Sequence, residues 1–306
     1  MIIGVSLSDA IDEFILDQRV RGNSSATIDY YTFSLGLFSR YVGADHDVSD
    51  LTLRVCKEYY IHLIEDKTVN SVSIQSYIRG LRTFLRWLYD QEYIDTNICE
   101  KFKLPKATRK VIDVLSDEEI DKLLAALSGD EWLTVRNRLI VALMLDSGLR
   151  LNEVVTLRRS CVHISDRYLI VTGKGDKQRV VPFGEFTAKT IVDYLAVTDQ
   201  ACYCDALIIK VSETLCGFEG ITQATIKNMF RRLKARAGIP RLYPHLLRHT
   251  FATRYLENGG NIYTLQAILG HTSLEMVKKY LHLATNRIRS DFPKFSPLDN
   301  IKKDPL

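Results

Sequence analysis

Apolar residues in this chain recur at helical spacing nearly everywhere they recur at all, and one stretch breaks the pattern. Residues 167–183, RYLIVTGKGDKQRVVPF, place two β-branched runs, Leu169-Ile170-Val171 and Val180-Val181, either side of Gly173-Lys174-Gly175-Asp176-Lys177. That pattern predicts a β-hairpin with a cationic turn. Before it, Leu7, Ala10, Ile11, Phe14 and Ile15 fall on one helical face. Asn23, Ser24 and Ser25 offer caps for a second helix through Ile28, Tyr31, Leu35 and Phe38. A third helix is expected near residues 54–64 and a fourth near 73–90. The chain is therefore expected to be mainly α, with a small helical domain first and an α-rich domain carrying the β-hairpin insertion second.

A length of 306 residues suits two domains. We place the first at 1–106, a basic linker at 107–115 inside KFKLPKATRKVID, the second domain at 116–290 and a Pro-containing tail at 291–306. Ser116 with Glu118 and Glu119 marks a helix start just past the linker. The net charge of +4 hides an asymmetry: residues 1–106 carry 12 Lys+Arg against 15 Asp+Glu, whereas the remainder carries 29 against 22. Excess cations in the second part suit a phosphate-bearing partner.

No apolar run nears membrane-spanning length. The opening MIIGVSLSDAIDEF has early acids and no basic n-region, so no secretory signal, no membrane partner and a cytoplasmic location are expected. The six cysteines, at 56, 99, 161, 202, 204 and 216, are scattered. Even Cys202 and Cys204 lack a His/Cys pair at ligand spacing, so packing or surface thiols are expected and no metal.

Four segments carry chemistry-bearing side chains. In Asp146-Ser-Gly-Leu-Arg-Leu-Asn-Glu153, Gly148 ends a buried helix and Arg150 enters the first turn of the next. A cation there opposes the helix dipole and needs a partner, with Glu153 at i+3 available. The hairpin turn bears Lys174 and Lys177. In Pro244-His-Leu-Leu-Arg-His-Thr250, Pro244 suits the first helical position, placing His245 and Arg248 on one face near a helix N-terminus, where an anion is favoured. In Leu269-Gly-His-Thr-Ser-Leu-Glu275, Gly270 ends one helix, Thr272 and Glu275 form a capping box for the next, and Tyr280 follows two turns on. Each segment alone has an ordinary structural reading. Together they supply arginines, histidines, lysines and a tyrosine without the carboxylate cluster that two-metal phosphoryl transfer requires. The set fits phosphodiester chemistry in which fixed cations stabilise the transition state.

Two helices offer cationic faces. Arg79, Arg82 and Arg86 share one side of the fourth helix, opposite Leu81, Phe84, Leu85 and Leu88. In residues 222–237, Thr222 caps a helix whose Ile226, Met229, Phe230 and Leu233 face inward while Lys227, Arg231 and Lys234 line an outer edge suited to the major groove.

These motifs, GLRLNEVVTL, GKGDKQRVVPF, PHLLRHTFATRYLENGG and LQAILGHTSLEMVKKYLH, in this order, resemble the tyrosine recombinase (phage-integrase-like) family, and in size and layout its Xer-type members. The resemblance spans nearly the whole chain. It implies a SAM-like core-binding domain followed by a catalytic domain. By the same likeness Arg150, Lys174, His245, Arg248, His271 and Tyr280 match the catalytic set, Tyr280 being the nucleophile, and Glu153 matches an acidic position beside the first arginine. Lys177 suits the hairpin role less well.

The implied activity is strand cleavage and exchange on double-stranded DNA through a 3′-phosphotyrosyl link and a Holliday junction. No cofactor is implied. The implied assembly is a homotetramer on two duplexes, a partner recombinase being the open alternative, and the tail from Asp291 is a candidate for docking on a neighbour. No arm-binding domain is expected ahead of residue 1. Two other readings stand beside this one: a type IB topoisomerase, and a DNA-binding accessory protein without catalysis.

Overall fold

The computed structural model describes residues 4–102, 113–173, 176–198, 205–211 and 218–270. It divides into two compact units, Met1–Lys110 and Val111–Leu306.

The first unit is helical: α1 Leu7–Val20, α2 Ser25–Val42, α3 Leu53–Glu65, α4 Ser71–Asp90 and the single turn α5 Ile98–Lys101. The caps are local and polar. Ser6, Ser24, Thr52 and Asn70 each accept backbone N–H groups of the turn they precede, satisfying donors that have no partner within the helix.

The core gathers on Phe14, whose ring meets Tyr31, Phe84 and Trp87 edge-on at centroid distances of 5.1, 5.5 and 5.5 Å. Such pairs add about 0.5–1.5 kcal/mol each beyond burial. α2 and α4 cross closely because Gly80 lacks a side chain. A Cβ there would fall 2.5 Å from Ser34 Oγ and 3.2 Å from the Tyr30 hydroxyl. Ser34 is itself buried, and its Cβ would lie 3.3 Å from the added atom, so turning the hydroxyl relieves only part of the clash. Gly80→Ala is therefore expected to destabilise the chain by about 1–3 kcal/mol, despite alanine's better helix propensity. Urea unfolding followed by circular dichroism checks this; an unchanged or raised midpoint contradicts it. Cys56 packs in this core as an apolar group, burial pushing its thiol up to about 12.

The second unit runs α6 Asp117–Ala125, α7 Trp132–Leu145, α8 Leu151–Thr156, β1 Val162–His163, β2 Tyr168–Thr172, β3 Gln178–Pro182 and α9 Glu185–Thr198. It continues through β4 Ile209–Val211, β5 Phe218–Gly220, α10 Gln223–Ala237, α11 Pro244–Glu257 and α12 Ile262–Leu269. Ser116 and Glu119 form the capping box of α6. Residues 113–115, taken from sequence as linker, are held on this unit. Leu115 is fully buried and its N–H donates to Thr250 Oγ1 at 3.0 Å, while Asp113 pairs with Arg241 at 2.6 Å.

α7 is buried along Leu139–Met144 and packs against α9 and α11. The hairpin is present as β2–β3, antiparallel, with Leu169 opposite Val181 and Val171 opposite Arg179. β1 extends it to three strands, and β4–β5 forms a second, two-stranded sheet. Neither addition is evident in the sequence, since strands of two or three residues are too short to display alternation.

Candidate functional site: an arginine cluster on a buried glutamate

α7 ends at Leu145, and the chain turns through Gly148 (φ +64°) to deliver Arg150 as the N-cap of α8. The turn is tight against α11: a Cβ at Gly148 would fall 2.4 Å from Phe251 Cδ1. Sequence placed Arg150 within the first turn of α8, and the structure places it one step earlier. The expected partner is there. Glu153 Oε2 accepts the Arg150 N–H at 2.8 Å and Oε1 pairs with Arg150 Nη1 at 2.8 Å. One carboxylate thus closes the helix N-terminus and orients the guanidinium.

Glu153 is only 4% exposed, and it serves more than Arg150. Arg179 of β3 grips both of its oxygens, Nη1 to Oε1 at 2.9 Å and Nη2 to Oε2 at 2.8 Å. Arg248 of α11 brings Nη1 to 3.9 Å from Oε2. Burial alone would raise the Glu153 carboxyl. Hydrogen bonds from Arg179 and from the Arg150 backbone outweigh that and hold it below the ordinary glutamate value. Three guanidiniums around one carboxylate leave a local excess of positive charge, and Arg150, about a third exposed, faces outward with it.

Arg248 is nearly buried and is also anchored through backbone carbonyls. It donates from Nη1 to Gly148 O at 2.5 Å and from Nη2 to Leu269 O at 2.7 Å. Arg179 Nε donates to Ile268 O at 2.6 Å. Two arginines therefore clamp the C-terminal end of α12. Gly270, left-handed at φ +62°, lies against Arg179, where a Cβ would come within 3.0 Å of its Cδ. His245 is exposed one turn before Arg248, behind Pro244 at the first position of α11.

Of the six sequence-derived catalytic candidates, the structure brings Arg150 and Arg248 together, with His245 on the same helix as Arg248. Lys174, His271 and Tyr280 lie outside the described residues. The described chain nevertheless reaches both neighbourhoods: Gly173 and Gly270, the residues just before Lys174 and His271, each border Arg179.

Arg179 itself was missed. It lies inside the quoted hairpin motif, and strand alternation puts it on the same face as the buried Val181. A charge on the inward face of a strand requires a buried partner. That conflict was the available clue.

The cationic faces are partly engaged. On α4, Arg79 is exposed, Arg82 donates to Cys99 O at 3.2 Å, and Arg86 pairs with Asp90 at 2.9 Å and with Glu100 at 3.9 Å. They line a shallow groove of about 340 Å³ with Thr83 and Cys99. Exposed pairs of this kind are weak, about 0–1 kcal/mol, and exchange readily for phosphate. On α10, capped by Thr222, Ile226, Met229, Phe230 and Leu233 are buried, Lys227 and Arg231 exposed and Lys234 half-buried.

Comparison with known proteins places this geometry. The Phage integrase SAM-like domain matches residues 6–104 and the Phage integrase family residues 113–287. Tyrosine recombinase XerD of Oceanobacillus iheyensis is 28% identical over 301 residues, covering 95% of this chain and 99% of that protein. Tyrosine recombinase XerC of Staphylococcus aureus is 28% identical over 294 residues, covering 94% and 96%. Among solved structures, XerA recombinase shares 27% identity at a TM-score of 0.51, covering 94% of this chain and 99% of that one. The Tn1549 transposon integrase in complex with transposon right end DNA superposes at a TM-score of 0.77 over 95% of this chain and 100% of that one, a likeness of fold at 19% identity. The segment matched to the family contains Arg150, Glu153, Arg179 and Arg248, the whole of the charge cluster, and the chain belongs to the phage integrase family.

Proposed function

We propose that this chain is a site-specific tyrosine recombinase that cleaves and rejoins duplex DNA through Tyr280. The observation that carries the reading is the meeting of Arg150 and Arg248 on Glu153, beside the ends of the hairpin turn and of α12. The relatives named tyrosine recombinase over nearly their whole length support it.

The chemistry follows from the side chains. A phenol is almost wholly protonated at neutral pH, its ordinary pKa being about 10. Attack on phosphorus needs a base and a cationic setting, and His245, exposed beside Arg248, is the base. Arg150 and Arg248 hold the non-bridging oxygens, whose charge grows in the transition state. His271 adds a hydrogen bond there. As the Tyr280 oxygen–phosphorus bond forms, the bond to the 5′-oxygen breaks, and Lys174 gives that oxygen its proton. The 3′-phosphotyrosyl link keeps the bond energy, and a 5′-hydroxyl from another duplex reverses the step. Exchange between two duplexes calls for a homotetramer, in which the segment beyond Asp291 docks on a neighbour. Arg79, Arg82 and Arg86 on one unit and Lys227, Arg231 and Lys234 on the other contact the DNA, and the reaction takes place in the cytoplasm.

The test begins by mapping the DNA that the protein protects, then places a nick in that sequence so that cleavage traps the covalent complex. Arg248→Ala is expected to slow trapping on the order of 10³-fold, as removal of a transition-state arginine does. Relaxation of a supercoiled plasmid lacking the protected sequence, at a rate matching cleavage of the site, would instead indicate a topoisomerase. Protection without trapping would indicate an accessory DNA-binding protein.

A further inference from the structure

α10 carries five cations, Lys227, Arg231, Arg232, Lys234 and Arg236, and no acid. At about 100° per residue they fall on two edges roughly 150° apart around the axis. Lys227, Arg231 and Lys234 form one edge, already read as a DNA contact. Arg232 and Arg236 form the other, which opens on a cavity of about 440 Å³ lined also by Thr134, Arg136, Asn137, Thr225 and Asn228.

Arg136 distinguishes this cavity from a mere charged surface. Its residue is 7% exposed. Its guanidinium lies 5.0 Å over the Trp132 ring, and among the described residues its Nε and Nη2 reach only the neutral Asn137 Oδ1, at 3.4 and 3.2 Å. Glu131 borders the cavity, but among the described residues it makes no ion pair with Arg136, Arg232 or Arg236. A buried guanidinium lacking a carboxylate is costly, and an incoming anion would offset that cost. Burial lowers the Arg136 pKa, which reflects the same penalty. Two exposed guanidiniums, the Asn137 and Asn228 amides and two threonine hydroxyls supply the donor set for tetrahedral oxyanions.

We propose that the α7–α10 cavity is a phosphate-binding site, built on Arg136, Arg232 and Arg236 and separate from the arginine–glutamate cluster. Its phosphate comes either from the backbone of bound duplex or from a free polyphosphate. The site does not depend on the cleavage chemistry, so failure of that chemistry leaves it standing.

Calorimetric titration of the full chain with inorganic tripolyphosphate tests it, alongside duplex affinity measured across a salt series. Arg232→Gln/Arg236→Gln is the informative variant, because truncating the buried Arg136 disturbs folding by itself. Lys227→Gln/Arg231→Gln/Lys234→Gln is the control and removes more charge. The wild type is expected to bind one tripolyphosphate per chain, weakened at least tenfold by the double variant and less than threefold by the control. If duplex is the source, the double variant also loses about two units of salt slope. If free polyphosphate is the source, its duplex affinity stays unchanged. Loss of slope without measurable tripolyphosphate binding also supports the site. Equal weakening of tripolyphosphate binding by both variants, or no effect of the double variant on either ligand, overturns it.

Discussion

Tyr280→Phe is expected to abolish covalent capture of nicked DNA while leaving duplex affinity within about twofold. The substitution deletes one oxygen atom, the nucleophile of the proposed reaction, in which the phosphate is held by other residues. Binding draws on many cationic contacts, and one hydroxyl contributes little to their sum. Trapping draws on the single bond that this oxygen forms, and no water or neighbouring side chain leaves the same protein–DNA link. Denaturing electrophoresis of the nicked-substrate reaction reads the first quantity, and a gel-shift titration reads the second. A slower-migrating covalent band that persists in the variant removes Tyr280 from its assigned role. A parallel loss of affinity would instead mean that the change reached the fold.

The second large effect concerns Glu153. Glu153→Gln keeps the shape and removes the charge that three arginines share. Removing one partner of a buried ion pair costs about 3–5 kcal/mol. The amide also turns a donor toward guanidinium donors, where the carboxylate offered acceptors. Loss of stability near that range is expected in denaturant unfolding, together with slower trapping, since Arg150 loses the group that aims it. Arg179→Met in the Glu153→Gln background should cost less than in the wild type, by about 0.5–3 kcal/mol, because the pair is broken already. Additive losses would show that Glu153 and Arg179 do not act as a unit.

The same carboxylate predicts a pH dependence. Its folded pKa lies below the ordinary value of 4.5. The stability it contributes is therefore complete above that value and is lost as pH falls through the lowered folded one. The gap between wild type and Glu153→Gln should stay constant from neutral pH down to about 4.5 and close below it. A gap that widens on acidification contradicts the assignment.

How far these features could be read from the chain alone differs by element. α1, α2, α4 and α10 were legible because each repeats an apolar face over several turns behind a Ser, Thr or Asn cap. The hairpin was legible from its two β-branched runs. Arg150 and Glu153 were legible as a pair because a helical turn brings i and i+3 together. By contrast, β4–β5 was hidden by its brevity. Arg179 was hidden because its meaning depends on α8 and α12, which lie far away in sequence.

Sequence alone determined the helical class, the place of the hairpin, the motif order and the residues that carry charge, since helix periodicity, caps and turn residues act over a few positions. Tertiary structure alone decided that Arg150, Arg179 and Arg248 converge on one buried carboxylate, that two of them clamp the end of α12, and that Arg136 is enclosed with no ion pair among the described residues. Burial and pairing depend on groups that meet only when distant elements pack, and no local pattern encodes which will meet.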